Sequence, residues 1–250
     1  VNKAKNQVLV LLMVYGCSSA AQTSAFLEAD GLLVLEIESV TAVPNGWAEE
    51  IVLDDYTGAS YFRYAANNQF NNPGNDLLSY PIFIQNPGRY QFQWRNLIAE
   101  GSSNTDANDS WLRLSASAYY GQKSRNNGDI SIVCPKGYDP EVNACPEELD
   151  EDGGGVEPEG SGSNGWFKVY RSGPGDWVWS TRTSDNDAHN IFARFDYPGI
   201  YLIEVSGRSK DHAIDRMVLY RDDYAGNPLD VGLVESPWVD VDLIYKDGFD

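Results

Sequence analysis

Arg89-Tyr90-Gln91-Phe92-Gln93-Trp94-Arg95 places three aromatic rings on one side of an extended chain and Gln91, Gln93 and Arg95 on the other. Successive side chains of a β-strand point to opposite faces, so this alternation describes a strand with one face in a core and one in solvent. Upstream, Ile82-Phe83-Ile84-Gln85-Asn86-Pro87-Gly88 leads into it through a Pro-Gly turn. A second copy of the pattern runs from Ile191 to Phe195, through Asp196-Tyr197-Pro198-Gly199, into Ile200 and Tyr201. Proline presets the first central angle of such a turn and glycine supplies the second. Both segments therefore read as hairpins.

Other short strand-like runs lie at Leu32–Glu38, Tyr61–Tyr64, Leu78–Ile84, Trp111–Ala116, Trp166–Tyr170, Trp177–Ser180 and Ile214–Arg221, separated by Gly, Pro, Asn and Asp. No long stretch carries a helical period. About ten short strands with turn signals between them predict an all-β, antiparallel sandwich over residues 31–223. Residues 128–165 are rich in Asp, Glu, Gly and Pro and are expected to form an acidic insertion. Residues 224–250 are expected to be a tail or linker, with Trp238, Val239, Val241 and Leu243 either docking as a further strand or opening a linker.

Composition bounds the function. The chain has 250 residues, 42% hydrophobic and 12% aromatic, enough for a sizeable core, and a formal net charge of −19. That field repels phosphate backbones and anionic lipid, so no nucleic-acid partner is expected and no membrane contact by charge alone. Two histidines and three cysteines leave little for a zinc site or a Cys–His nucleophile pair.

The opening segment carries Lys3 and Lys5, an apolar run from Val8 to Val14, and then Tyr15-Gly16-Cys17. Basic, then apolar, then small residues describe an export signal, and the run is too short to span a bilayer. Val14-Tyr15-Gly16-Cys17 resembles the lipobox of bacterial lipoproteins, with Tyr15 where a small residue is usual. The resemblance implies a signal peptide over 1–16, lipidation at Cys17, a tether over 17–30, and an exported protein held by its lipid at an outer membrane or cell surface. The remaining pair, Cys134 and Cys145, is eleven residues apart, and an oxidising compartment favours a disulfide there.

Leu33-Val34-Leu35-Glu36-Ile37-Glu38 and Asp215-Arg216-Met217-Val218-Leu219 carry a second resemblance. They resemble the Glu-x-Glu strand and the final Asp-apolar strand of calcium-binding, family-six-like carbohydrate-binding modules. That family implies a jelly-roll, galactose-binding-like sandwich, a structural Ca2+ and a polysaccharide or oligosaccharide ligand. Enzymes that degrade polysaccharides are then candidate partners. Glu36 and Glu38, two apart on a strand, would share one side and repel unless neutralised. Calcium takes six to eight oxygens, and Asp215 is the expected third carboxylate if the first and last strands pair. Ion pairs with Arg208 or Arg216 are the alternative. Glu148, Asp150, Asp152, Gly153 and Glu159 fall at spacings like those of a calcium loop, but a solvated acidic loop is the simpler reading.

Aromatic rings stack on the CH faces of sugars, and amides, acids and imidazoles bind their hydroxyls. On that chemistry Trp177, Asn108, Asp109, His189, Asn190 and His212 are the expected carbohydrate-binding residues. Trp94 is expected in the core. No Gly-x-Ser-x-Gly elbow or phosphate-cradling loop is present, so non-catalytic capture is the first expectation. A small polysaccharide lyase or hydrolase, and an adhesive surface protein without sugar specificity, are the alternatives.

Overall fold

In the computed structural model the residues described are 24–101, 103, 105–139, 145–146, 156–173 and 175–242. Cys17, the signal segment and the Glu148–Gly153 stretch lie outside them. The fold is an all-β sandwich of two mostly antiparallel sheets.

The first sheet runs, in spatial order, β10 (Gly162–Ser163), β11 (Trp166–Tyr170), β7 (Asp109–Leu114), β14 (Gly199–Gly207), β5 (Leu78–Ile84), β1 (Ser24–Leu27) and β16 (Trp238–Asp240). The second runs β3 (Trp47–Glu50), β4 (Tyr61–Tyr64), β15 (His212–Arg221), β6 (Gly88–Ile98), β13 (Asn190–Phe195), β8 (Ala118–Ser124) and β9 (Ile130–Val133). Beside that path, β2 (Leu32–Glu36) pairs with the far half of β15, and β12 (Val178–Trp179) pairs with β6 at Arg95 and Asn96. β1 and β5 run parallel; every other named pair is antiparallel.

The alternation in β6 has the expected result. Tyr90, Phe92 and Trp94 are fully buried between the sheets. They meet Leu35, Met217 and Leu219 from the neighbouring strands and Tyr80, Leu112 and Val205 from the opposite sheet. The two Pro-Gly segments, expected as hairpins, instead cross between the sheets: Pro87-Gly88 carries β5 of the first sheet into β6 of the second, and Pro198-Gly199 carries β13 of the second into β14 of the first, so that β6 and β13 lie side by side. Gly207 closes β14 where a Cβ would come within 1.9 Å of the Tyr64 ring, so only glycine lets that ring seal the core.

Two further features depart from the sequence expectation, and the tail takes the first of its two expected courses. Residues 24–27, assigned to a tether, form β1, because Ala25 and Phe26 are buried and the Phe26 ring meets Trp238 edge-on at 4.8 Å. The tail folds back as a strap. Trp238–Asp240 pairs with β1, Ser236 bonds the backbone of Val34, and Glu235 accepts from Glu36 N at 2.8 Å and from Ser39 Oγ at 3.0 Å. The strand predicted over Leu32–Glu38 ends at Glu36, and Ile37–Ser39 is a 3-10 turn. That turn drops Ile37 into the core, where its carbonyl accepts from Tyr80 OH at 2.5 Å. The insertion is stapled by a Cys134–Cys145 disulfide.

Candidate functional site

The six expected binding residues do not converge. His212 is fully buried, hydrogen-bonded to Ser110 Oγ at 2.7 Å and close to the Trp94 ring. Burial drives its imidazole down to about 3, so it is neutral at ordinary pH. His189 is also buried, engaging the Asp187 carbonyl through Nδ1 and Ser131 Oγ at 3.1 Å through Nε2, and burial lowers its basicity too. Asp109 lies beneath the surface, where it takes Arg208 and the Ser209 hydroxyl (2.5 Å). Asn190 opens β13 and is half-buried. Asp109, His189 and His212 are held structurally, each buried at or beside a strand end and hydrogen-bonded there.

Trp177 and Asn108 are largely buried too, at 9% and 6% exposed, but each lines a concavity, and the two concavities are different. Trp177 ends the 171–177 loop, which folds over the outer face of the second sheet. Its indole packs edge-on against Tyr61 at 5.2 Å and donates Nε1–H to the Asp54 carbonyl at 3.0 Å. Arg95 stands over the ring at 5.5 Å. Around it opens a cleft of about 590 Å³, floored by Leu53 and Leu97 and rimmed by Asp54, Asp55, Arg95 and Asp176. Tyr61 and Ala213 pack beneath, and Tyr56 and Ala99 extend the apolar patch. Arg95 and Leu97 stand on the outward side of the β6 alternation. Their side was legible in the sequence; the arrival of Trp177 and Asp54 above them was not.

On the other side of the same loop, Asn108 lines a second cavity of about 480 Å³, with Lys168, Tyr170, Arg171, Asp185 and Asn186. Asn108 and Arg171 are tied by two hydrogen bonds of 3.0 Å, Arg171 N to Asn108 O and Asn108 Nδ2 to Arg171 O. They hold the ends of β7 and β11 together.

The three expected calcium ligands are brought to one loop, Thr57–Ser60. β2 and β15 pair with Glu36 opposite Arg216, as the first-and-last-strand reading required. Glu36 Oε2 and Asp215 Oδ1 both face Thr57 Oγ1, at 2.8 and 3.1 Å, although a hydroxyl has one proton to give. Glu38 Oε1 accepts from Ala59 N at 2.6 Å, while Glu38 Oε2 is buried without a hydrogen-bond partner. Gly58 sits at φ +67°, and a Cβ there would fall 2.2 Å from Glu38 Oε1. Burial raises the pKa of both Glu38 and Asp215. Two cations already answer part of this charge. Arg216 pairs with Glu36, and Arg95 pairs with Asp215 at 2.5 Å. Among the described residues no three acidic, His or Cys side chains stand as a ready metal cluster. Three carboxylates against two guanidiniums nevertheless leave one buried negative charge and an orphaned oxygen. The donor set is all oxygen, which fits a hard cation.

No family model matches the chain, and no curated protein matches it. Among solved structures it is similar to a GH26-CBM35 β-(1,4)-mannanase from Podospora anserina, at 15% identity and TM-score 0.41, over 80% of this chain and 29% of that one. It is similar to the C-terminal CBM6 of LamC, a marine laminarinase from Zobellia galactanivorans, at 14% identity and TM-score 0.36, over 76% and 99%. A third is a cycloisomaltooligosaccharide glucanotransferase from Paenibacillus sp., at 14% identity and TM-score 0.38, over 77% and 19%. The chain thus spans under a third of the mannanase and of the glucanotransferase.

Proposed function

We propose that this protein is a non-catalytic saccharide-binding module that captures polysaccharide through the Trp177 cleft. The observation that carries this reading is the make-up of the cleft. An apolar floor of Leu53 and Leu97 beside an indole suits the CH face of a sugar, and Asp54, Asp55, Asp176 and Arg95 at the rim suit its hydroxyls. Ligand pockets have this arrangement of apolar lining with a few polar groups. The state of the histidines favours binding over catalysis. Both are buried and hydrogen-bonded, and neither lines this cleft.

Calcium is part of the same proposal. Glu36, Glu38, Asp215 and Thr57 would hold it, and it would neutralise the surplus charge between β2, β15 and the 57–60 loop. The proposal also places the protein outside the cytoplasm, anchored by lipid at Cys17 with polysaccharide-degrading enzymes as neighbours. The Cys134–Cys145 disulfide is in keeping with an oxidising compartment.

Affinity electrophoresis on a panel of neutral polysaccharides, run beside reducing-end and unsaturated-product assays, tests the reading. Retardation without product release is expected. Product release would favour a lyase or hydrolase, and no retardation on any glycan would favour a surface protein without sugar specificity.

A further inference from the structure

Arg95 belongs to two sites at once. It lines the Trp177 cleft, and its guanidinium stands over the indole at 5.5 Å. Its Nη1 donates to Asp215 Oδ2 at 2.5 Å, and Asp215 is one of the three carboxylates gathered at the Thr57 loop. The guanidinium makes no other hydrogen bond among the described residues, and neither Nε nor Nη2 is sealed from the surface. Arg95 is 8% exposed and Asp215 is fully buried. Such a pair holds firmly only while each charge answers the other.

The strands explain the meeting. β15 slips register on β6 between Ile214 and Arg216, so Asp215 is the extra residue of a β-bulge, a device that re-aims a side chain. Ile214 and Met217, on either side of the bulge, are core residues. Asp215 and Arg216 between them both turn outward, and Arg216 stands opposite Arg95. Like charges facing each other across two strands repel. Each is answered by a carboxylate, Arg216 by Glu36 and Arg95 by Asp215. A second link runs through the backbone. Thr57 N donates to Asp215 Oδ1 at 2.8 Å. Three residues earlier, the Asp54 carbonyl accepts the Trp177 Nε1–H at 3.0 Å, and Leu53, Asp54 and Asp55 wall the cleft. The short segment 53–57 thus carries the cleft wall at one end and the carboxylate cluster at the other.

We propose that Arg95 couples the two sites. With the charge of Asp215 answered by a calcium ion, Arg95 loses part of its hold on that carboxylate and turns its donors to saccharide hydroxyls in the cleft. Saccharide is then held more tightly in calcium than without it. The proposal rests on both readings above, the saccharide cleft and the calcium loop, and adds the regulation of one by the other. Linkage is reciprocal, so bound saccharide tightens calcium by the same factor.

The test is affinity electrophoresis of the full chain in gels cast with xylan, galactan or β-glucan, each run in calcium chloride and in chelator. Wild type should bind at least one glycan about fivefold or more tightly in calcium, within the usual range of coupling between sites. Asp215→Asn removes the charge that holds Arg95 and keeps an oxygen that accepts from it. In chelator this variant should bind the same glycan about fivefold more tightly than wild type does, and calcium should add nothing. A purely structural cation predicts the opposite sign, since loss of Asp215 would then weaken binding. In Arg95→Gln affinity should be low and equal in both buffers. The double variant Arg95→Gln, Asp215→Asn leaves neither charge unpaired and should behave the same way, which covers a failure of the single variant to fold. Equal wild-type affinity in calcium and chelator, or Asp215→Asn no tighter than wild type in chelator, would overturn the coupling. If the melting temperature still responds to calcium in that case, the calcium and saccharide readings both stand without it. If no glycan retards the protein in either buffer, the saccharide reading fails and the coupling with it.

Discussion

At the scale of single residues, burial decides which polar groups are structural. His212 is enclosed by Trp94, Ser110 and Asn96, with its pKa at about 3 against 6.5 in an open chain. The unfolded chain therefore takes up a proton as pH falls below 6.5, while the folded one stays neutral until about pH 3. Stability is lost across that window at about 1.4 kcal/mol per pH unit. Chemical unfolding between pH 7 and pH 4 should show His212→Asn less stable than wild type at pH 7 but less sensitive to acid. Equal slopes would mean that His212 is solvated. Glu38 and Asp215, raised by burial, titrate with the opposite sign in both proteins, so the comparison isolates the imidazole. The sequence marked both histidines as polar groups near loops. It carried no sign that strand-end loops would close over them.

At the scale of elements, periodicity was legible and docking was not. The alternation of Tyr90, Phe92 and Trp94 and the two Pro-Gly turns specify strands without help from the rest of the chain. β1 and β16 carry no such pattern. Each is a three- or four-residue segment that becomes a strand because Phe26 and Trp238 cover one another at the sheet edge. The Glu36–Glu38 pair shows the same limit. Two residues on one strand share a face, but Ile37 is drawn into the core and turns the backbone after Glu36. Both carboxylates still reach the 57–60 loop by another route. The strap before β16 has its own consequence. Glu235 bonds one backbone N–H and one hydroxyl on the β2–turn segment, so Glu235→Ala should lower unfolding free energy by roughly 1–3 kcal/mol. A change within ±0.5 kcal/mol, the range of an ordinary surface substitution, would show that the strap does not hold β2.

At the scale of the whole molecule, a chain with a net charge of −19 has two regions that bear on its function. One is the Thr57 loop, where three carboxylates meet two arginines. If calcium completes it, chelation should lower the melting temperature, since a ligand bound to the native state adds RT ln(1 + [L]/Kd) to stability. In Glu38→Gln the melting temperature should no longer respond to chelator. A wild-type melting temperature that is the same in calcium and in chelator would remove the metal from the account. The other region is the face divided by the 171–177 loop. Composition and the aromatic-rich loops pointed to a sugar ligand. The placement of Trp177 and Asn108 on opposite sides of one loop depended on how Arg171 locks to Asn96 and Asp176, which no local pattern encodes.

Titration calorimetry of wild type and Trp177→Ala with a glycan that retards the wild type is the most direct measurement. Loss of the indole should weaken binding tenfold or more, about 1.4 kcal/mol, with the fold intact by circular dichroism. Unchanged affinity in Trp177→Ala for every glycan the wild type binds would contradict capture at this cleft.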